Sequence, residues 1–364
     1  MANPNEEIAE LEAQIKKTVY NKATQHHIGM VKAKIAKLRE KAEARAGGGG
    51  PKEGFQVRKT GDGTVILLGF PSTGKSTLLN SLCGTESATA SYAFTTLTVI
   101  PGTLEHRHAR IQILDVPGIV QGAASGRGRG KEVLATIRSA DLCMIVIDAL
   151  RPNELDVVRR EAAGVGVRLN QRRPDVRIKK TSRGGVKMAT TLTLTKIDRE
   201  TVVDILKEFR ITNADVLIRE DIDVDQFIDC VEDNKKYMPA VVVCNKADLV
   251  TDEERDYIAE RYAPDIFVSA ITGDGIEGLK DIIHDRLDLM SVYMKEPGKE
   301  ADMGVPMIMF RNGTIRSVCD KLHKDFVAKF KFARVWGKSA KFDGQKLMLN
   351  HKLKDSDVLE IHLK

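Results

Sequence analysis

Residues 69–76 read Gly69-Phe70-Pro71-Ser72-Thr73-Gly74-Lys75-Ser76, with Thr77 next, and match the pattern G-x-x-x-x-G-K-[ST]. A loop of this kind meets phosphate oxygens with converging backbone N–H groups, so glycine stands where the chain turns tightly and nears the anion. Lys75 is expected to pair with β- and γ-phosphates and the Ser76 hydroxyl to ligate Mg²⁺. A second candidate is Asp115-Val116-Pro117-Gly118, at the end of an apolar run. There Asp115 would hold Mg²⁺ through water, and the Gly118 N–H would meet the γ-phosphate. The third is Asn245-Lys246-Ala247-Asp248. The Asp248 carboxylate can accept from both guanine N1–H and the exocyclic amine, a donor pair that adenine lacks, which selects GTP over ATP. Ser269-Ala270-Ile271 follows, placed to offer a backbone N–H to guanine O6. Thr195-Lys196-Ile197-Asp198 imitates the guanine motif with Thr in the Asn position. It is set aside because Asn245 follows a more apolar run and a Ser-Ala pair comes after its Asp.

These loops need strands and helices to hold them. The apolar run 65–68 predicts a strand entering the first loop, and the pattern over 76–82 predicts a helix leaving it. Further apolar runs at 99–104, 110–114, 142–147, 239–244 and 266–268 predict the remaining strands of an α/β nucleotide domain over residues 55–290. Upstream, Ile8, Leu11 and Ile15, then Ile28, Val31, Ile35 and Leu38, recur at helical spacing. Two helices in a hairpin over residues 1–46 follow, with a Gly-rich linker at 47–54. The stretch from Asp148 to Pro239 exceeds what one helix and its loops require, so an α+β insertion is nested at 166–238. In it, 188–195 (MATTLTLT) reads as a strand, 199–209 as a helix and 214–218 as a strand. From residue 291 onward, strands at 305–310, 333–336, 345–349 and 358–363 and a helix at 315–323 predict a β-grasp domain to residue 364. Trp336, the single tryptophan, reads as a sheet-face or core residue, with base stacking as the alternative.

Composition narrows the function classes. The 364 residues are 42% apolar, enough for several cores, and five scattered cysteines give neither a disulfide framework nor a zinc site. No uninterrupted apolar run approaches about 18 residues, and the N-terminus is charged where a signal peptide is apolar, so a cytoplasmic protein without membrane contact is expected. The net charge of +6 is unevenly placed: residues 1–46 sum to +3, residues 159–187 to +8 and residues 311–364 to +7, leaving −12 for the rest. Basic appendages on an acidic body suggest a polyanionic partner, against the alternative of solvated faces. In the second N-terminal helix, Lys32, Lys34, Lys37, Arg39, Lys41 and Arg45 leave the same two readings open.

The loops, together with residues 92–97 (YAFTTL) and the run 122–130 (GAASGRGRG), resemble the Obg-related translation GTPases, specifically the developmentally regulated GTP-binding (DRG) proteins. The resemblance spans the whole chain. It implies a P-loop GTPase domain with an insertion similar to domain 2 of ribosomal protein S5, an N-terminal helical hairpin and a C-terminal TGS domain. It implies that Phe94, Thr95 and Thr96 belong to the first switch, with the Thr96 hydroxyl on Mg²⁺ in the GTP state. The activity implied is GTP hydrolysis to GDP and phosphate, with Lys75, Thr96 and Gly118 as the catalytic set. The partners implied are the ribosome and its RNA, with an accessory activating protein, and the free chain is expected to be a monomer. Just after Gly118 stands Ile119, where Ras-like enzymes orient the attacking water with glutamine, so intrinsic turnover should be slow. Assistance would come from a partner, from an arginine supplied in cis or trans, or from K⁺; Arg127 and Arg129 read first as RNA-facing or solvent-facing residues, with a reach to phosphate as the alternative. Many Obg-related enzymes hold K⁺ with a P-loop asparagine, and this chain has Ser72 there. An RNA-binding scaffold whose nucleotide only stabilises the fold is the alternative function, and a metabolic P-loop kinase ranks third.

Overall fold

The protein was analysed as a computed structural model, which describes residues 4–19, 21, 24–46, 61–84, 100–115 and 137–364. The chain begins with α1 (Pro4–Lys17) and α2 (Gln25–Ala46), then β1 (Gly63–Leu68), α3 (Lys75–Cys83), β2 (Ile100–His106), β3 (Ala109–Asp115) and β4 (Leu142–Asp148). Next come α4 (Glu154–Gly164), β5 (Val167–Leu169), β6 (Val176–Lys180), β7 (Val186–Thr190), α5 (Arg199–Glu208), β8 (Ala214–Ile218), α6 (Val224–Glu232) and β9 (Lys236–Met238). The chain continues through β10 (Ala240–Asn245), a 3₁₀ turn (Ala247–Leu249), α7 (Asp252–Tyr262), β11 (Ile266–Phe267) and α8 (Ile276–Arg286). It ends with β12 (Leu289–Met294), β13 (Met307–Phe310), α9 (Ile315–Leu322), α10 (Lys324–Lys329), β14 (Phe330–Trp336), β15 (Gln345–Leu347) and β16 (Asp357–Leu363). No helix among the described residues is long and apolar enough to cross a membrane.

Two compact units emerge. One holds α1 and α2 with Gly166–Tyr237; the other holds the strands around the P-loop and everything from Met238 to Lys364. In the second, six strands lie in the order β11-β10-β4-β1-β3-β2, parallel except for the β2–β3 hairpin at the edge. Parallel strands covered on both faces must be apolar throughout, and β1, β4 and β10 are buried at every position. Leu78, Leu79 and Leu82 of α3 and Leu279 and Ile283 of α8 pack into the same core as Val65, Leu67, Ile111 and Val243. Each such side chain, fully buried, contributes about 1.5–3 kcal/mol relative to exposure. The parallel register sets the C-terminal ends of β1, β3, β4 and β10 along one edge, since Leu67 pairs with Asp115 and Asn245 with Asp148. That edge is where open α/β sheets bind ligands.

The C-terminal sheet runs β13-β12-β16-β14-β15, mixed in direction, with Ile315, Val318 and Cys319 of α9 in its core. This is the β-grasp arrangement, and its first strand starts at Leu289, slightly before the change of texture in the sequence. Trp336 is half-buried on the sheet, with the Lys295 ammonium 4.2 Å from its ring centroid.

In the other unit, β6, β8 and β7 form a three-stranded sheet with α5 and α6 on one face, where Val202, Ile205, Phe227 and Ile228 are buried against Val216 and Ile218. Ala33 of α2 joins that core. The strand expected over 188–195 stops at Thr190. Its neighbour β8 ends at Ile218, which pairs with Thr190, so later residues have no ladder partner. Asp221 then takes the Thr195 hydroxyl and N–H into a turn.

Candidate functional site

The sequence between β1 and α3 folds back on itself as a phosphate-type loop. Gly74 has φ +86, and a Cβ there would strike the Asn245 side-chain amide; a Cβ on Gly69 would strike the Val146 carbonyl of β4. The two glycines are thus fixed by neighbouring strands as well as by any anion. Ser72, at φ +65, takes a left-handed conformation that serine rarely adopts and asparagine tolerates better. Lys75 Nζ donates to the carbonyls of Gly69 at 3.0 Å and Phe70 at 2.7 Å, looping over the turn. Burial lowers the Lys75 ammonium from its ordinary value, against the opposing pull of Asp115 and Glu154.

Ser76 Oγ donates to Asp115 Oδ2 at 2.8 Å, joining the first turn of α3 to the end of β3. The other carboxylate oxygen, Oδ1, is buried and has no hydrogen-bond partner among the described residues. An orphaned carboxylate oxygen beside a hydroxyl is a hard-oxygen donor set, which fits Mg²⁺. Thr73 Oγ1 bonds to the Phe70 carbonyl within the loop, while Pro71, Ser72 and Thr77 are exposed.

At the other end of the edge, Asn245 is 1% exposed; its Nδ2 donates to the Thr73 carbonyl at 2.9 Å and its Oδ1 accepts from the Ala270 N–H at 3.1 Å. One side chain therefore ties three loops together. Lys246, with φ +63, reaches Asp148 Oδ2 at 2.7 Å. Burial pushes the Asp148 carboxyl up, but hydrogen bonds from Lys246 and the Leu150 N–H outweigh it and hold the group below the usual carboxylate range. Asp148 carries no motif and sequence reasoning missed it; its place at the end of an apolar strand, level with Asn245, is the only signal. The Asp248 carboxylate lies exposed on the turn, and Ser269 is buried with its N–H on the Asp274 carbonyl. Ile271 is 81% exposed at the rim.

The structure therefore brings Gly69 to Thr77, Asp115, Asn245 to Asp248 and Ser269 to Ile271 to one sheet edge. Phe94, Thr95, Thr96, Gly118, Ile119, Arg127, Arg129, the run 122–130 and the linker 47–54 lie outside the described residues. The Thr195–Asp198 imitation serves elsewhere: Asp198 caps α5 through the Thr201 N–H at 2.7 Å.

Comparison with known proteins agrees with this geometry. Residues 64–180 match the family described as 50S ribosome-binding GTPase, 183–289 its C-terminal region, and 290–363 the TGS domain. A GTP-binding protein of Methanocaldococcus jannaschii is 52% identical over 99% of this chain and 93% of its own length. Developmentally-regulated G-protein 3 of Arabidopsis thaliana is 43% identical over 99% of both chains, and developmentally-regulated GTP-binding protein 1 of Xenopus laevis is 42% identical over 97% of both. The chain is a P-loop GTPase with a C-terminal TGS domain and belongs to the family of developmentally regulated GTP-binding proteins.

Proposed function

We propose that this chain is a slow GTPase switch of the cytoplasm that associates with ribosomes through RNA and acts in translation. The observation that carries the switch is the meeting of Lys75, Ser76 and Asp115 at one end of a sheet edge with Asn245 and Asp248 at the other. Lys75 would exchange the Gly69 and Phe70 carbonyls for β- and γ-phosphate oxygens, and Asp248 would accept from guanine. The Ser76 and Thr96 hydroxyls and the Asp115 carboxylate would hold Mg²⁺, which supplies charge neutralisation across the phosphates when bound. Thr96 and Gly118 contact the γ-phosphate in this reading, so its loss on hydrolysis releases both switches and changes partner affinity. Ile119 offers no donor or acceptor to the attacking water, which leaves the rate to a partner, an arginine or K⁺ near Ser72.

The RNA part rests on the free face of the β6-β8-β7 sheet. Arg177 and Lys179 of β6 and Lys187 of β7 are exposed there, with Lys180 at the end of β6 and Arg183 in the turn that follows, and none makes an ion pair among the described residues. Asp215 is the one acidic residue between them. Cosedimentation with ribosomes, with GDP and with a non-hydrolysable GTP analogue, tests the proposal. Nucleotide-dependent binding is expected; equal binding with both would favour a scaffold, and no binding in either would refute ribosome association.

A further inference from the structure

Arg255, in the first turn of α7, touches both loops at the base end of the site. The sequence fixes it there through a capping box: Thr251 Oγ1 accepts from the Glu254 N–H at 3.3 Å, and Glu254 accepts from the Thr251 N–H at 2.9 Å. From this anchored turn, Arg255 Nη2 donates to the Ala247 carbonyl at 3.1 Å, one residue before Asp248. The guanidinium carbon lies 5.9 Å from the Phe267 ring centroid, and Nη2 is 3.9 Å from Asp274 Oδ2. Asp274 in turn accepts the Ser269 N–H on its carbonyl at 3.0 Å. Ala247 and the second loop are also joined directly, by the Ala247 N–H on the Val268 carbonyl at 3.0 Å.

We infer that Arg255 is a positioning residue for base recognition: its guanidinium, with Nη2 on the Ala247 carbonyl and its carbon beside the Phe267 ring, braces the Ala247 turn against the 267–274 loop, and so sets where Asp248 stands. The inference rests on reading Asp248 as the guanine acceptor. Two features separate this arginine from an ordinary surface cation. Its Nε is buried without an acceptor among the described residues, so the side chain is held by the loops it braces rather than by full solvation. Asp248 itself is exposed and short, on a three-residue 3₁₀ turn that begins at Ala247, so the Ala247 carbonyl is a direct lever on its backbone. A lysine could place a charge near Phe267 but lacks the planar group that lies beside the ring while its Nη2 donates to the Ala247 carbonyl.

Competition of GDP and inosine diphosphate against a fluorescent GDP analogue, on the full chain with Mg²⁺, tests this. Inosine lacks the exocyclic amine and so loses one of the two Asp248 contacts. Wild type is expected to prefer GDP by about tenfold or more, as for a hydrogen bond to a charged group. Arg255→Ala should weaken GDP by about five- to tenfold and shrink the GDP-to-inosine preference by at least about threefold. Arg255→Lys should lie between the two, and it decides the matter if Arg255→Ala melts out of range. Equal weakening of both nucleotides, or no weakening, would overturn the positioning role and leave Arg255 a packing residue. A wild type that does not distinguish the two nucleotides would instead remove the Asp248 assignment, and this inference with it.

Discussion

The Asn245 side chain donates to the Thr73 carbonyl at 2.9 Å, joining a loop at the end of β10 to the turn between β1 and α3. Because the same amide accepts from the Ala270 N–H, its removal orphans two backbone groups, one buried and one part-buried. Each unsatisfied group costs about 1–3 kcal/mol. Asn245→Ala should therefore weaken GDP binding by about tenfold or more, and lower the melting temperature by about 2–4 °C per kcal/mol lost. Titration with a fluorescent nucleotide and a thermal melt check this; unchanged values in both would show that the two loops hold their places without the amide.

Base choice is a separate matter, because the Asp248 carboxylate makes no hydrogen bond or ion pair among the described residues and lies exposed. Asp248→Asn replaces an acceptor with a donor facing the guanine N1–H or amine. GTP affinity should fall at least about tenfold, while xanthosine triphosphate, whose base offers an oxygen at that edge, becomes the better ligand. If GTP still binds as in wild type, guanine is being read elsewhere.

Much of this site is legible in the sequence because its parts are local. A strand-loop-helix with glycines at fixed offsets announces itself; Asp115 and Asn245 each sit at the end of an apolar run that folds as a covered strand, and Ser269 follows the short edge strand β11. What brings the parts together is not local. Asp148 and Arg255 belong to no motif, and their value comes from register and from a helix cap that aims a side chain across the sheet edge. The basic segment shows the same limit. Of its cations, Arg168 is held by two bonds of 2.6 and 2.7 Å to buried Asp229, Arg172 pairs with Glu220, and Arg173 pairs with Asp233. In α2, Lys32, Lys34, Lys37 and Arg39 are paired with Asp225, Glu7, Glu208 and Glu12. Counting charge along the chain could not tell these engaged cations from free ones, because their partners are distant in sequence.

Turnover tests the phosphate end. Ser76→Asn removes the hydroxyl that meets Asp115 and replaces it with a bulkier amide, so the GTP state and hydrolysis should weaken while GDP binding is reduced less. A variant hydrolysing at the wild-type rate would refute the metal role of Ser76. In wild type, hydrolysis should be slow without a partner, and replacing Na⁺ with K⁺ should raise it if Ser72 helps to hold a cation. Equal rates in the two salts would remove K⁺ from the mechanism.

The last test concerns the free face of the three-stranded sheet. Residues two apart on a strand share a face and lie about 6.6 Å apart, so Arg177 and Lys179 form a short cationic row, with Lys187 across β8 on the same side. The face carries no aromatic residue: between the cations stand Asp215, Leu217 and Ala189. Without rings to stack on bases, it suits the backbone of folded RNA better than single strands. Affinity for structured RNA should then fall with salt at a log–log slope of about −0.7 to −0.9 per phosphate, for about three to five phosphates. Reversing Arg177, Lys179 and Lys187 to Glu should weaken that binding and flatten the slope, with GDP affinity unchanged because none of the three belongs to a nucleotide loop. Reversing Arg172 and Arg173, which already have carboxylate partners, should change the slope less. Binding that survives the triple reversal with its slope intact would move the RNA contact to the helical hairpin or the TGS domain.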